Sequence, residues 1–273
     1  NIKIKDIFQL LIFFRKIKKK SFRKALFLDF ILALLHINLV EKYKTNFSSV
    51  FFNAGAHIQH HYFFNSKVIN NKYKNPEWYI SSNIDPILEA LIFYDRIISI
   101  YKKNNYKIIL STGLQQVPYK EKQFYYRLSN HKEFLNFLEI KFKSVQPRMT
   151  RDFELTFNSN EERDKAKKLL YQVKDEFNKV VFGEIDEREK SIFCSLTYKY
   201  EIKKTQEFFF KNKKFLLYNY VNFVAIKNGM HEKHGTFYIS DFKFDKNNTN
   251  KLELHKVKKL ILQVLKKEAA NIN

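Results

Sequence analysis

Apolar residues recur at helical spacing over residues 23–43, 86–103, 161–173 and 252–267 of this chain, and short continuous or alternating apolar runs lie between them. Residues 4–44 read as two helices broken near the basic run 16–20. The second of these, residues 23–43, places Leu26, Phe30, Leu34 and Ile37 on one stripe, which packing explains without a cofactor. The basic run reads as a solvated helix end, with a membrane surface or phosphate backbone as the alternative. Residues 48–53 read as a short buried strand. A polar loop at 70–78 follows, anchored by Trp78, and then Asp85-Pro86 opens a helix with Pro at its first turn. Its expected apolar face is Ile87, Leu88, Leu91, Ile92 and the turn at 95–98, with Asp95 and Arg96 as a surface pair and a buried orienting role as the alternative.

Residues 106–110 form the most strand-like run, continuous and β-branched, ending in Ser111-Thr112-Gly113. Strand 48–53, helix 86–103 and strand 106–110 then make a βαβ unit, expected to be a right-handed parallel crossover with its two glycine turns side by side. Beyond it the pattern predicts a short helix at 134–140, an extended leg at 141–145 and a strand at 153–157. A capped helix at 161–173 and strands at 180–182, 191–198, 214–226 and 236–240 follow, before the closing helix at 252–267. No internal repeat is visible.

Composition changes this picture in three ways. Aromatic residues are 17% of the chain and apolar residues 45%, so it folds rather than staying disordered. The formal charge of +22 invites a nucleic-acid reading, but only eight basic residues are Arg, the rest Lys, and Lys, Asn, Ile, Phe and Tyr are all over-represented. That is the signature of an AT-rich genome, so the charge predicts non-specific attraction of anions and no specific nucleic acid. The single cysteine, Cys194, excludes an intrachain disulfide framework and a thiolate zinc cluster, and is expected in a core strand.

Under this bias the scarce residues mark the candidate chemistry. Four of the five glycines fall in Asn53-Ala-Gly55-Ala, Ser111-Thr112-Gly113-Leu and Asn228-Gly229-Met-His231-Glu-Lys-His234-Gly235. Three of the eight histidines, His57, His60 and His61, follow the first of these at i, i+3 and i+4, which places them on one helical face. Either they ligate or they are hydrogen-bonded surface residues. Arg148 and Arg151, in Pro147-Arg148-Met149-Thr150-Arg151-Asp152, have the spacing and fork geometry for phosphate, sulfate or carboxylate, with Asp152 as orienter or ligand. An ordinary salt-bridged turn is the alternative.

The order of these motifs resembles the carboxyl-terminal portion of the alkaline phosphatase superfamily, in its type I phosphodiesterase/nucleotide pyrophosphatase branch. In that family an upstream region carries the nucleophile and a metal-binding Asp. An Asp-x-x-x-His pair follows, then a helix with an internal Asp, a strand ending in Ser-Asp-His-Gly, and a final His-Gly. Asn53 and His57 match the first pair, Ser111 the strand end, and His234-Gly235 the last motif. The match covers residues 20–130 and 220–240. Asn53 replaces the family's Asp, and Thr112-Gly113 replaces Asp-His, removing two ligands of a second metal. The nucleophile region is not matched, so no nucleophile is assigned; Ser111, Thr112 and Cys194 are weak catalytic candidates, Thr112 first, none with a histidine or carboxylate at diagnostic spacing.

The resemblance implies an α/β fold with a mostly parallel sheet flanked by helices, in one domain over 1–273 with a small α+β insertion at 141–220. The chain starts at Asn1 without an initiator Met or an obvious first strand, so an amino-terminal part is expected to be missing. The implied activity is metal-dependent hydrolysis or transfer of phosphate or sulfate esters, small or glycan-linked. His57, His234, His231 and Asn53 would bind a divalent metal, zinc first, and Arg148, Arg151, Asp152, His60 and His61 would hold the anion. A non-catalytic anion-binding relative and a basic nucleic-acid-binding protein are the alternatives. No secretory signal is visible and the apolar run near the start is too short to span a bilayer, which favours a soluble, cytoplasmic chain. Oligomeric state is not legible.

Overall fold

The computed structural model describes residues 11–12, 14–15, 22–240 and 252–270, with side chains to 266. The basic run 16–20 and most of the expected first helix lie outside the described residues; residues 11, 12, 14 and 15 are helical. The chain divides into two compact units, the first made of residues 1–118 and 229–273 and the second of Tyr119–Asn228.

In the first unit, helices α1 (Arg23–Tyr43), α2 (Ala54–Tyr62) and α3 (Pro86–Lys103) pack around Leu26, Ala33, Ala54, Ile58, Ala90, Phe93 and Ile97. The stripe expected on α1 is the one buried at Leu26, Leu34 and Ile37. Helix α3 starts where Asp85-Pro86 predicts, with the Asp85 carboxylate accepting the Leu88 amide at 3.0 Å. Its buried side differs from the expected one: Ile87, Ala90, Phe93 and Ile97 face the core, while Leu88, Leu91 and Ile92 are 43–55% exposed. Leu88, Leu91 and Ile92 extend the apolar surface of this helix beyond the side that packs, so periodicity alone does not choose the face; the small Ala90 allows the close approach.

The expected parallel crossover does not form. Residues 48–53 have no regular structure and Phe51 is 78% exposed. Strand β1 (Ile109–Ser111) instead pairs antiparallel with β11 (Phe237–Ile239), Leu110 opposite Tyr238. The sheets hold two to four strands, and no large parallel sheet is present among the described residues, so the mostly parallel, alkaline-phosphatase-like fold is not the architecture observed. Apolar runs rich in Phe and Ile are common in this chain, and such a run becomes a strand only where a partner edge meets its backbone groups.

Strands β2 (Gln115–Leu128) and β10 (Val221–Glu232) pair with each other. In the first unit the Gln115 amide donates to the His234 carbonyl at 2.7 Å, and in the second the Ser129 amide donates to the Tyr220 carbonyl at 2.9 Å. Strand β2 is not signalled by the Lys-rich, Pro-containing stretch it occupies, although Phe124, Tyr126 and Leu128 alternate inward.

The second unit contains β3 (Ser144–Pro147), β4 (Asp152–Thr156), β6 (Glu184–Arg188) and β7 (Ser191–Ser195), an antiparallel sheet in the order β3-β4-β7-β6. Strands β5 (Lys174–Asp175), β8 (Glu207–Phe210) and β9 (Lys213–Leu216) form a second antiparallel sheet. Helix α4 (His131–Phe137) is capped by Asn130, and α5 (Asn160–Tyr171) by Ser159, whose oxygen accepts the Glu162 amide at 3.3 Å. The core is aromatic: Phe134, Phe153, Phe182, Phe208 and Phe210 are fully buried, each contributing about 2–3 kcal/mol of apolar burial. Cys194 lies there on β7, opposite Phe153, and burial pushes its thiol pKa well up. The closing helix α6 (Leu254–Ala270) belongs to the first unit.

Candidate functional site

Helix α2 carries the histidines, and its start is held by two side chains from neighbouring helices. Asn53, the residue before the helix, donates its backbone amide to Asp29 Oδ1 at 3.3 Å, and Ala54 donates to Oδ2 at 3.0 Å. The Gly55 amide donates to the Tyr94 hydroxyl at 2.7 Å, which itself donates to Asp29 Oδ2 at 2.7 Å. Three amides that an anion could have occupied are therefore taken by the protein's own carboxylate and phenol. Burial, followed by the hydrogen bond and charge of Asp29, raises the Tyr94 pKa. Sequence reading passed over both residues. The available signal was Asp29 itself, a carboxylate on the stripe of Leu26, Ala33 and Ile37, where an unpartnered charge would be costly.

The other end of α2 meets β10. A Cβ placed on Gly229 would lie 2.7 Å from the Gln59 carbonyl oxygen and 2.8 Å from Gln116 Oε1, so only glycine lets the strand run this close to the helix. Gln116 also donates its amide to the Ala56 carbonyl at 3.2 Å. Two residues beyond Gly229, His231 reaches His60: their Nε2 atoms are 3.2 Å apart and their rings 4.8 Å apart at 73°. On the same helix the His57 and His61 rings are 4.5 Å apart. The i, i+3, i+4 histidines thus meet one another within the helix and, through His60, a residue 171 positions away.

Burial lowers the His57 pKa. It lowers that of His61 to about 4, with the charges of His57 and His60 adding to the effect, so the His61 ring is neutral near pH 7. The side chain of Gln115 donates at 2.6 Å to Oε2 of Glu232, the neighbour of His231 in sequence.

The Ser-Thr-Gly and His-Gly turns do meet. The Thr112 amide donates to the Thr236 carbonyl at 2.8 Å, and the Thr236 amide donates to Thr112 Oγ1 at 2.7 Å. A Cβ on Gly235 would lie 1.9 Å from the Thr112 carbonyl oxygen, so this contact requires glycine. Thr112, the candidate nucleophile, has its hydroxyl oxygen engaged in that turn. Its glycine turn neighbours Gly235, in place of the Gly55 turn expected beside it. His234 is exposed and contributes its backbone carbonyl to Gln115.

The sequence-derived ligand set of Asn53, His57, His231 and His234 therefore supplies no complete metal centre: among the described residues, no group of three or more His, Cys, Asp or Glu side chains is arranged to hold an ion. The arginines lie in the second unit on the β3–β4 turn, where Thr150 has a φ of 56° and the Arg148 amide donates to the Asp152 carbonyl at 2.8 Å. Arg148 donates to the Glu154 carboxylate. Arg151 lies 4.8 Å over the Tyr125 ring, with a terminal nitrogen 3.6 Å from Glu184, and Asp152 accepts from the Ser195 hydroxyl at 2.7 Å. Each side chain of the expected anion clamp thus has a partner within its own unit.

A further hydrogen-bonded chain, with no signal in local spacing, runs from Ser48 Oγ to His36 Nε2 at 2.7 Å and from His36 Nδ1 to the Tyr101 hydroxyl at 2.8 Å. Burial lowers the His36 pKa, and burial followed by Tyr106 raises that of Tyr101 to about 12. This chain ties the loop after α1 to both α1 and α3.

Among the described residues no helix is long and apolar enough to cross a membrane. Comparison with protein-family models, with curated proteins and with solved structures finds no match to this chain.

Proposed function

We propose that the chain is part of a hydrolase of phosphate or sulfate esters whose chemistry is centred on the imidazole cluster of the first unit, with a divalent cation, zinc first, as cofactor. One observation carries this reading: His231 lies within 3.2 Å of His60 from far along the sequence, while the His57 and His61 rings lie 4.5 Å apart on the same helix. Imidazole both ligates first-row cations and moves protons near neutral pH, the two tasks that ester hydrolysis needs. The excess of positive charge favours anionic substrates in general. Arg148 and Arg151 serve an anion in this reading only by exchanging Glu154 and Glu184 for it.

The test is turnover of p-nitrophenyl phosphate, bis(p-nitrophenyl) phosphate and p-nitrophenyl sulfate by the full-length protein, with zinc supplied. Hydrolysis of at least one, lost in His231→Gln, supports the reading; no turnover of any of the three overturns it. A binding role without turnover is the second reading, favoured by Asn53 in place of a carboxylate and by Asp29 occupying the amides at the start of α2. Ester binding by calorimetry without hydrolysis would select it.

A further inference from the structure

We infer that His60 and His231 form a two-imidazole chelate for one late first-row divalent cation, clamping α2 to β10 and leaving the remaining coordination positions open. The inference rests on the hydrolase reading for its role, and on geometry for its existence. Two nitrogen ligands on a tetrahedral zinc, each at the usual bond length, are about 3.3 Å from one another. The His60 and His231 Nε2 atoms are 3.2 Å apart, close to that separation, with their rings crossed at 73°.

The same separation also suits a hydrogen bond between two neutral imidazoles, one Nε2 protonated and the other bare. Chelation requires both Nε2 atoms bare and both protons on Nδ1. The two arrangements therefore differ in the tautomer of one ring.

The backbone around the pair is built for fixed spacing. Gly229 sets β10 directly on the Gln59 carbonyl, and Gln116 on the paired strand β2 bonds the Ala56 carbonyl one turn before His60, so both strands lie against the turn of α2 that leads into the His60 ring. A chelate whose ligands are held apart from one another before binding loses little freedom on metal capture. Because the two ligands are 171 residues apart, the unfolded chain does not present the site, and binding couples to folding of the first unit.

The donor set also selects the ion. Two imidazoles favour Cu2+, Ni2+ and Zn2+ over Mg2+ and Ca2+, which take oxygen ligands. Two protein ligands leave room for water and for an ester oxygen, which a centre with three or four protein ligands offers less readily.

The experiment is titration of the metal-free full chain with Zn2+, Ni2+ and Mg2+ chlorides, followed by calorimetry and by the thermal midpoint. The expected result is one equivalent of Zn2+ or Ni2+ bound and none of Mg2+. With zinc roughly a hundredfold over its dissociation constant, the midpoint should rise by roughly 5 °C or more. His60→Gln and His231→Gln should each weaken binding at least tenfold, and His255→Gln, on the exposed closing helix, should not. Because either variant could also lose stability, Cu2+ paramagnetic resonance of the unaltered protein gives an independent reading, with hyperfine structure from two imidazole nitrogens expected.

Absence of saturable zinc binding, or binding unchanged in both variants, overturns the chelate and leaves the hydrogen-bonded pair. The two proposals fail separately. Zinc bound through this pair with no ester turned over removes the hydrolase reading and keeps the site. Turnover that persists in a chelator, with a midpoint indifferent to zinc, removes the site and keeps hydrolysis.

Discussion

The hydroxyl of Tyr94 donates to the carboxylate of Asp29 across 2.7 Å, and together these two side chains close the amino end of the histidine-bearing helix. Asp29 belongs to α1, Tyr94 to α3, and the amides they satisfy to the start of α2, so one buried carboxylate joins α1, α2 and α3.

Tyr94→Phe keeps the ring and removes one donor to Asp29 and the acceptor for Gly55. The cost is expected at about 1–3 kcal/mol, the range for leaving buried polar groups unpaired, read as a lower urea midpoint with an unchanged slope. Asp29→Ala should cost more, since it strands the Asn53 and Ala54 amides and the Tyr94 hydroxyl together. Equal stability in both variants would show that the network is dispensable.

Gly229→Ala should destabilise the first unit by about 1–3 kcal/mol, because the added methyl meets the Gln59 carbonyl and the Gln116 side chain at under 3 Å. The second consequence is displacement of His231 from His60, visible as a change in the histidine ring signals by nuclear magnetic resonance. Gly113→Ala, where nothing lies within 4 Å, is the matched control and should leave both measurements unchanged.

Acid should weaken the second unit through His131. This residue opens α4, is 9% exposed and packs edge-on to Phe153 at 5.2 Å; burial, then the charge of Arg127, lowers its pKa below 6.5. The folded state therefore prefers the neutral ring, while the unfolded chain takes up a proton as pH falls through 6.5. Stability is full above that value and is lost as pH falls from 6.5 toward the lowered folded pKa. Urea midpoints measured between pH 7.5 and pH 5 should fall with a shallower slope in His131→Leu than in the unaltered chain. An identical slope would assign the acid sensitivity elsewhere.

Cys194 should be inert in the folded chain. Its side chain is fully buried on β7 and its thiol pKa is raised, so an aromatic disulfide reagent should titrate no thiol in buffer and one in denaturant. Prompt reaction under native conditions would contradict the burial of that strand.

What the sequence determined by itself is what neighbouring residues settle between them. Asp85-Pro86 starts α3, Ser159 caps α5, and the stripe of α1 falls on Leu26, Leu34 and Ile37, because a helix meets its backbone groups within four residues of where they arise. Strands β4 and β7, with Cys194 inside, were legible from alternation. The scarce glycines pointed to Gly229 and Gly235, and the histidines to α2, before any geometry was known.

Tertiary structure alone decided the pairings. Nothing near residues 106–111 says that this strand runs antiparallel to 237–239, since a strand's partner and direction lie wherever another edge is offered. The same holds for Asp29 under the Asn53 and Ala54 amides, for Gly235 against Thr112, and for His60 facing His231. The parallel sheet expected from apolar runs gave way to small antiparallel ones for this reason: composition marks which segments can be buried, while hydrogen-bond partners distant along the chain decide which of them become strands, and in which sense.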